Sequence, residues 1–177
     1  MLSEKFEANN FHVKHAQDDA DVLIIETALK QACRNTTVVV GEDVDLLVIL
    51  IARTPIDKEI FFLKPGKGKV ERKIYSSRSF DEHKSSKDHI LFLHAFSGCD
   101  TTSALFNKGK TAALKLLEKR QDLQVAAQVF NRIDASRESI SSNGIRFFLG
   151  IYGAPIKEVS INTYRYLCFA KSVGKNM

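Results

Sequence analysis

The sequence is organised around residues 36–51, Thr-Thr-Val-Val-Val-Gly-Glu-Asp-Val-Asp-Leu-Leu-Val-Ile-Leu-Ile. Val38–Val40 is apolar on both faces, which predicts a fully buried, parallel strand that ends at Gly41. Asp43 and Asp45 follow the carboxyl end of that strand, the edge at which open α/β sheets bind ligands. Two carboxylates this close repel each other unless water or a cation separates them. Because apolar segments flank them, the pattern favours a cation.

The apolar run after these acids, Leu46–Ala52, fits either a short helix capped by Asp43 or a continued strand, since periodicity does not separate the two. Upstream, Asp18–Asp21 precedes apolar residues at helical spacing, which predicts a helix. Acids at a helix start cap free N–H groups, and this accounts for one or two of the three acids there. Residues i and i+2 of a helix point apart, so Asp19 and Asp21 share a site only if Asp19 lies at the cap.

The composition is ordinary for a soluble globular protein. A length of 177 residues predicts one domain, and 44% of the residues are hydrophobic and 27% charged. No apolar run reaches the roughly 18 residues of a membrane span, and no signal-peptide stretch begins the chain. The three cysteines lie far apart, which fits a reducing, intracellular compartment. The net charge of +5 points mildly to a polyanionic partner.

The most basic part of the chain is a predicted hairpin. Ile60–Leu63 and Val70–Tyr75 are extended segments around the Pro/Gly loop Lys64–Lys69. Lys67 and Lys69 belong to this loop. Contact with phosphates and a solvated hairpin tip both remain open interpretations.

The second half of the chain is predicted to be mainly helical. Ser76–His89 is polar and loop-like, and Asp100 follows the apolar segment Ile90–Phe96. The predicted helices are Ile90–Phe96, Thr111–Arg120, Asp122–Ile133, Arg137–Tyr152 and Lys157–Lys171. Aromatic residues at helical spacing in the late helices are expected in the core: Phe130, Phe147, Phe148, Tyr164 and Tyr166.

Familiar catalytic motifs are absent from the sequence, which leaves acidic residues as the candidates for catalysis. Gly109-Lys110-Thr111 resembles the end of a phosphate-binding loop, but Ala104 stands where that motif needs glycine. No GxSxG motif occurs. Five acids stand at the edges of apolar elements: Asp19, Asp21, Asp43, Asp45 and Asp100. Clustered carboxylates suit Mg²⁺ or Mn²⁺, and two such ions about 4 Å apart promote phosphodiester cleavage.

These residues carry a resemblance to a nuclease family. Asp19-Ala20-Asp21 resembles the Glu-Ala-Glu of the flap endonuclease (XPG-type, PIN-like) nucleases, and Gly41–Leu46 resembles their Ser-Glu-Asp-x-Asp-x segment. Phe96–Asp100 resembles their Leu-Gly-x-Asp segment, and Lys108–Ala112 stands where they have a glycine-rich basic turn. His94–Ser103, His-Ala-Phe-Ser-Gly-Cys-Asp-Thr-Thr-Ser, is still more similar to a group of uncharacterised animal PIN-like proteins, whose genes often resemble parts of mobile elements.

The resemblance implies an α/β fold with an incomplete, PIN-like (Rossmann-like) parallel sheet, a helix–turn–helix-like element and C-terminal helices. It implies one partial domain over residues 1–177, with an acidic α/β part at 17–100, a basic element at 101–120 and a helical part at 121–177. The implied site is a two-metal site for Mg²⁺ or Mn²⁺. One metal would be held by Asp43, Asp45 and Asp100, and the other by Asp19 and Asp21. Duplex DNA phosphates would be contacted by Lys108, Gly109 and Lys110.

The family's first strand, with its metal-ligand Asp, has no counterpart in residues 1–17, and its helical arch is absent. One metal position would therefore be incomplete. An open sheet edge would favour self-association or a second chain that completes the domain. The sequence predicts a metal-dependent nuclease acting on structured DNA. An inactive nucleic-acid-binding remnant and a protein-interaction domain remain alternatives. A DNA partner would imply a nuclear location, for which the sequence carries no signal.

Overall fold

The structure is a computed structural model of mixed α/β class. It describes the backbone of residues 2–174 and the side chains of all of these except 83–85. The chain divides into two compact units, which lie within residues 2–79 and 80–174.

The unit within residues 2–79 is built on a three-stranded mixed sheet. Its strands, in spatial order, are β1 (Thr37–Val40), β2 (Ile60–Lys64) and β3 (Lys73–Ser76). β1 and β2 are parallel, whereas β2 and β3 are antiparallel. The predicted hairpin is therefore confirmed. A wholly parallel sheet is not observed, because the short connection from β2 to β3 is compatible only with an antiparallel return. The helices are α1 (Leu2–Glu7), α2 (Ala20–Gln31) and α3 (Val44–Arg53).

The prediction that Val38–Val40 is fully buried is wrong. Val39 is 5% exposed and packs with Phe62 beneath the helices, but Val38 and Val40 are 51% and 60% exposed. Their side chains alternate across the strand, and α2 and α3 cover the Val39 face of the sheet. Among the described residues β1 pairs with β2 alone, so one edge of the strand is left open.

The apolar run after Asp43 is a helix, which settles the alternatives left open by the sequence. α3 begins directly after Asp43 and buries Leu46 and Leu50, one helical turn apart, against the sheet core. A continued strand would have placed these two residues on one face as well. The cap at Asp43 therefore decides the conformation, because it satisfies an N–H group that a helix start leaves without a partner.

The unit within residues 80–174 is helical. A 3-10 helix (Ser77–His83) and α4 (Lys84–Asp88) lead into it. Its further α-helices are α5 (Ile90–Ser97), α6 (Lys110–Lys119), α7 (Gln121–Gln128), α8 (Arg137–Ile151) and α9 (Ile161–Gly174). A short 3-10 turn at Val129–Asn131 follows α7. The predicted helices are confirmed in place, with ends shifted by up to five residues.

The core of this unit is aromatic. Phe92 lies at the centre of a ring cluster, with its centroid 4.7 Å from those of Phe130 and Phe147 and 5.1 Å from that of Phe96. Helices α7 and α8 approach closely, since a Cβ at Gly150 would lie 2.7 Å from Leu123 Cδ1. Phe147 is fully buried, as expected from its spacing.

Two sequence expectations about this half are wrong. Ser76–His89 is not a loop, because it contains the end of β3, the 3-10 helix and α4. Two of its serines, Ser77 and Ser86, are at most 1% exposed. The Ser77 hydroxyl accepts the main-chain N–H of Ile60 at 3.1 Å. The expected core position of Tyr166 is also not observed. The Tyr166 side chain is 69% exposed. The whole of α9 lies at the surface and has no buried residue.

No helix in the part of the chain that the structure describes is both long enough and apolar enough to cross a membrane.

Candidate metal centre

Helices α2 and α3 begin with the same local structure. Asp19 precedes α2 in an extended conformation, and its Oδ1 accepts the main-chain N–H of Asp21 at 2.8 Å. Asp43 precedes α3 likewise, and its Oδ1 accepts the N–H of Asp45 at 2.9 Å. Each helix therefore has one acid at its cap and a second acid in its first turn. This confirms the condition under which Asp19 and Asp21 can share a site.

Asp21 lies close enough to Asp19, Asp43 and Asp45 for their charges to act on it. The pKa of Asp21 is raised, first because the group is partly buried and then because Asp19, Asp43 and Asp45 add negative charge around it. Asp19 and Asp43 are exposed, whereas Asp21 and Asp45 are half-buried. The four acids therefore form a negatively charged patch on the surface of the 2–79 unit.

The helix ends explain part of this arrangement without a cation. Each N-terminus carries a partial positive charge of roughly half a unit, so two of them offset about one of the four negative charges. Capping occupies one oxygen of Asp19 and one of Asp43, and each carboxylate has a second oxygen. The remaining negative charge is uncompensated by the helices.

The donor set fits a hard divalent cation. Carboxylate oxygens are the ligands that Mg²⁺ and Mn²⁺ prefer, and a cation would offset the negative charge that Asp19, Asp43 and Asp45 add around Asp21. Within the described residues, no three of these four carboxylates bring oxygens within 4.8 Å of one another. Binding by three of them would therefore need side-chain rotation.

A cleft of about 540 Å³ runs beside the start of α2. Its polar lining includes His15, Asp18, Asp19 and Glu26. Glu26 was missed in the sequence because it lies within a regular helix, where a glutamate is unremarkable. The cleft gives water and a small cation access to Asp19.

Asp100 lies in the other unit, in a tightly bonded turn after α5. Cys99 and Thr102 exchange two main-chain hydrogen bonds of 3.2 Å, and the Thr102 hydroxyl donates to the Ala95 carbonyl. Gly98 has φ 107°, and a Cβ there would lie 2.6 Å from Ala104 Cα, so the turn requires glycine. Asp100 itself is exposed. Its assignment to the same metal site as Asp43 stays a prediction.

The same turn perturbs the Cys99 thiol. Its pKa is lowered, first by the Thr101 hydroxyl and then by the Thr102 hydroxyl, with smaller contributions from their main-chain N–H groups. The Thr102 hydroxyl already donates its proton to the Ala95 carbonyl, so of the two hydroxyls that of Thr101 is the one able to donate to a Cys99 thiolate.

The basic residues expected to contact phosphates lie in two places. Lys67 and Lys69 are exposed in the β2–β3 loop, where Lys67 and Val70 exchange main-chain hydrogen bonds. Lys108, Gly109 and Lys110 form the start of α6, with Gly109 at its cap. The Lys110 ammonium donates to the Gly98 carbonyl, and the Lys108 ammonium lies 5.7 Å from the centre of the Tyr152 ring.

Net positive charge is confined to one half of the sequence. Residues 80–177 contain 14 of the 26 Lys and Arg and nine of the 21 Asp and Glu, which leaves residues 1–79 neutral and accounts for the net charge of +5.

Comparison of the chain with protein families, with curated proteins and with solved structures finds no match.

Proposed function

We propose that this protein is a divalent-cation-dependent nuclease that cleaves phosphodiester bonds in structured DNA, in the manner of the flap endonucleases it resembles. The observation that carries the proposal is that α2 and α3 each begin with one acid at the cap and a second acid in the first turn, which concentrates four carboxylates at two adjacent helix starts. Four acids at two adjacent helix starts are more than capping requires, because one acid satisfies each cap.

In the proposed site the acids would bind the metal and the lysines would contact the DNA. A bound Mg²⁺ or Mn²⁺ supplies Lewis-acid activation of water and of the scissile phosphate. Asp21 and Asp45 offer carboxylates from the first turns, and the capping bonds of Asp19 and Asp43 fix the direction in which their second oxygens point. Lys67, Lys69, Lys108 and Lys110 supply positive charge for the DNA backbone.

The test is cleavage of an end-labelled branched DNA duplex with Mn²⁺ or with EDTA. The informative variant is Asp43→Asn with Asp45→Asn, because asparagine retains the cap at position 43 while both charges are removed. The control variant is Glu7→Gln with Asp57→Asn, which makes the same charge change at exposed positions elsewhere in the unit. We expect Mn²⁺-dependent products from the native chain and the control, and none from the Asp43/Asp45 variant.

Two other outcomes have defined meanings. Binding of DNA without cleavage, by a protein that Mn²⁺ stabilises, would favour the inactive nucleic-acid-binding remnant. Absence of both cleavage and metal-dependent stabilisation would favour the interaction domain, in which the acids act as caps and as a solubilising rim.

A further inference from the structure

An aromatic groove in the 80–174 unit has no role in the site described above. It is an open cavity of about 470 Å³ between α8, α9 and the segment before α6. Four rings contribute to its lining: Phe106, Phe148, Tyr152 and Tyr164. Leu149, Ile161 and Cys168 also line the groove, so its walls are mainly apolar.

The rings are held in place by hydrogen bonds at the edges of the groove. The Tyr152 hydroxyl donates to the Phe106 carbonyl at 3.1 Å, and the Tyr164 hydroxyl donates to the Tyr152 carbonyl at 3.0 Å. The rings of Phe148 and Tyr152 are tilted against each other, with centroids 4.9 Å apart. Phe106 is nevertheless 81% exposed. The hydrogen bond from Tyr152 anchors the main chain at Phe106, and the exposed Phe106 ring is available to a ligand.

The surroundings of the groove are positively charged. Arg165 lines it, the Lys108 ammonium lies over the Tyr152 ring, and its lining residues include no Asp or Glu. The half of the sequence that contains the groove also carries all of the net positive charge. An occupant that is flat, apolar on its faces and attached to negative charge matches these features.

We propose that this groove binds an unpaired nucleobase of single-stranded nucleic acid, with the exposed ring of Phe106 as the stacking surface and with Lys108 and Arg165 toward the flanking phosphates. Sequence-tolerant binding of single strands combines aromatic stacking with a basic surface in this way. The inference rests on the proposed function and refines it, because it assigns a specific groove of this chain to a base of the nucleic-acid partner.

The test uses a labelled oligothymidylate of about twelve nucleotides, a length within the range that single-strand-binding folds cover. A strand of the same length that lacks bases serves as the matched ligand. Binding is measured by fluorescence anisotropy in EDTA, so that the result does not depend on the metal site. Phe106→Leu removes the ring but keeps an apolar side chain, and Phe106→Trp restores a ring. Because Phe106 is exposed, both variants are expected to fold.

We expect the base-free strand to bind more weakly than oligothymidylate. Phe106→Leu should weaken oligothymidylate binding by about five- to 150-fold, the range for one stacked base, and Phe106→Trp should restore it. Equal binding of the two strands, unaffected by Phe106→Leu, would overturn the proposal and leave contact with phosphates alone.

Two further results would also overturn it, and both leave the proposed function separately testable. The first is metal-dependent cleavage of branched DNA by a chain that does not bind oligothymidylate. The second is binding of an amphipathic helical peptide in the groove, if this binding is unchanged by Phe106→Leu and is not displaced by oligothymidylate. That result would identify a protein-docking groove.

Discussion

Asp19 and Asp43 cap adjacent helices by the same contact, in which each carboxylate accepts the main-chain N–H of the acid two residues later, at 2.8 and 2.9 Å. The two residues thus have a structural role that is independent of any metal. Capping depends on an acceptor oxygen, whereas cation binding depends on negative charge. Substitutions can therefore separate the two roles.

The first prediction concerns the caps. Asp19→Ala should lower the free energy of unfolding by about 0.5–2 kcal/mol, because a helix N–H group loses its acceptor. Asp19→Asn should change it by much less, since asparagine caps about as well. Urea denaturation of the two variants measures the difference. Equal losses in both would show that charge, and not the capping bond, stabilises the start of α2.

The second prediction concerns the charge on Asp21. Its pKa lies above the ordinary value of 3.8, so in the window above 3.8 the folded state binds more protons than the unfolded state. The free energy of unfolding contributed by this group therefore rises as the pH falls through that window. At neutral pH and without divalent cations, Asp21→Asn should raise stability by up to about 1 kcal/mol, the scale of exposed charge interactions.

Asp57→Asn is the matched control for that experiment, because Asp57 is an exposed acid in the same unit and no part of the four-acid cluster. Thermal unfolding in EDTA compares the two. A loss of stability in Asp21→Asn, with none in the control, would contradict the view that the cluster is repulsive without a cation.

The third prediction concerns His89. This side chain is 4% exposed, and its Nδ1 has no hydrogen-bond partner among the described residues. Burial lowers its pKa below the ordinary 6.5, with the nearby Asp88 opposing the shift in part. Below pH 6.5 the unfolded state gains a proton that the folded state does not, so stability should fall by at most about 1.4 kcal/mol per pH unit until the pH reaches the folded pKa.

Denaturation between pH 5 and 7 tests this, with His89→Gln as the variant that does not titrate. We expect the native chain to lose more stability than the variant on acidification. Parallel pH profiles for the two proteins would show that His89 is protonated as readily in the folded state as in the unfolded chain.

The fourth prediction concerns the exposed side of β1. Val38 and Val40 are more than half exposed, and one edge of their strand is unpaired in the part of the chain that the structure describes. Unprotected edges of this kind pair with other chains. We expect concentration-dependent self-association in sedimentation experiments, reduced by Val38→Lys. A single monomeric species at every concentration would contradict this prediction.

The sequence was most informative where local chemistry determines local structure. The acids before α2 and α3, the β2–β3 loop and the helical periodicity of the second half all depend on nearby residues. The exposure of Val38 and Val40 could not be predicted, because it depends on which other elements cover the sheet. Three valines in a row have the same local pattern in a central strand and in an edge strand.

The buried serines and the aromatic groove were missed for a related reason. Ser77 and Ser86 occur in a polar stretch typical of a loop, and only their tertiary hydrogen bonds make them core residues. Phe148 and Tyr164 have the spacing of core aromatics, yet the surface position of α9 leaves them lining an open groove. Helical spacing indicates which residues share a face, and not whether that face is covered.

The central claim is that the acids at the starts of α2 and α3 bind a divalent cation. The most direct measurement is calorimetric titration of Mn²⁺ into the native chain and into the Asp21→Asn, Asp45→Asn variant, which retains both capping residues. We predict saturable binding to the native chain, competition by Mg²⁺, and loss of binding in the variant while its fold is preserved. Identical titrations for the two proteins would contradict the claim.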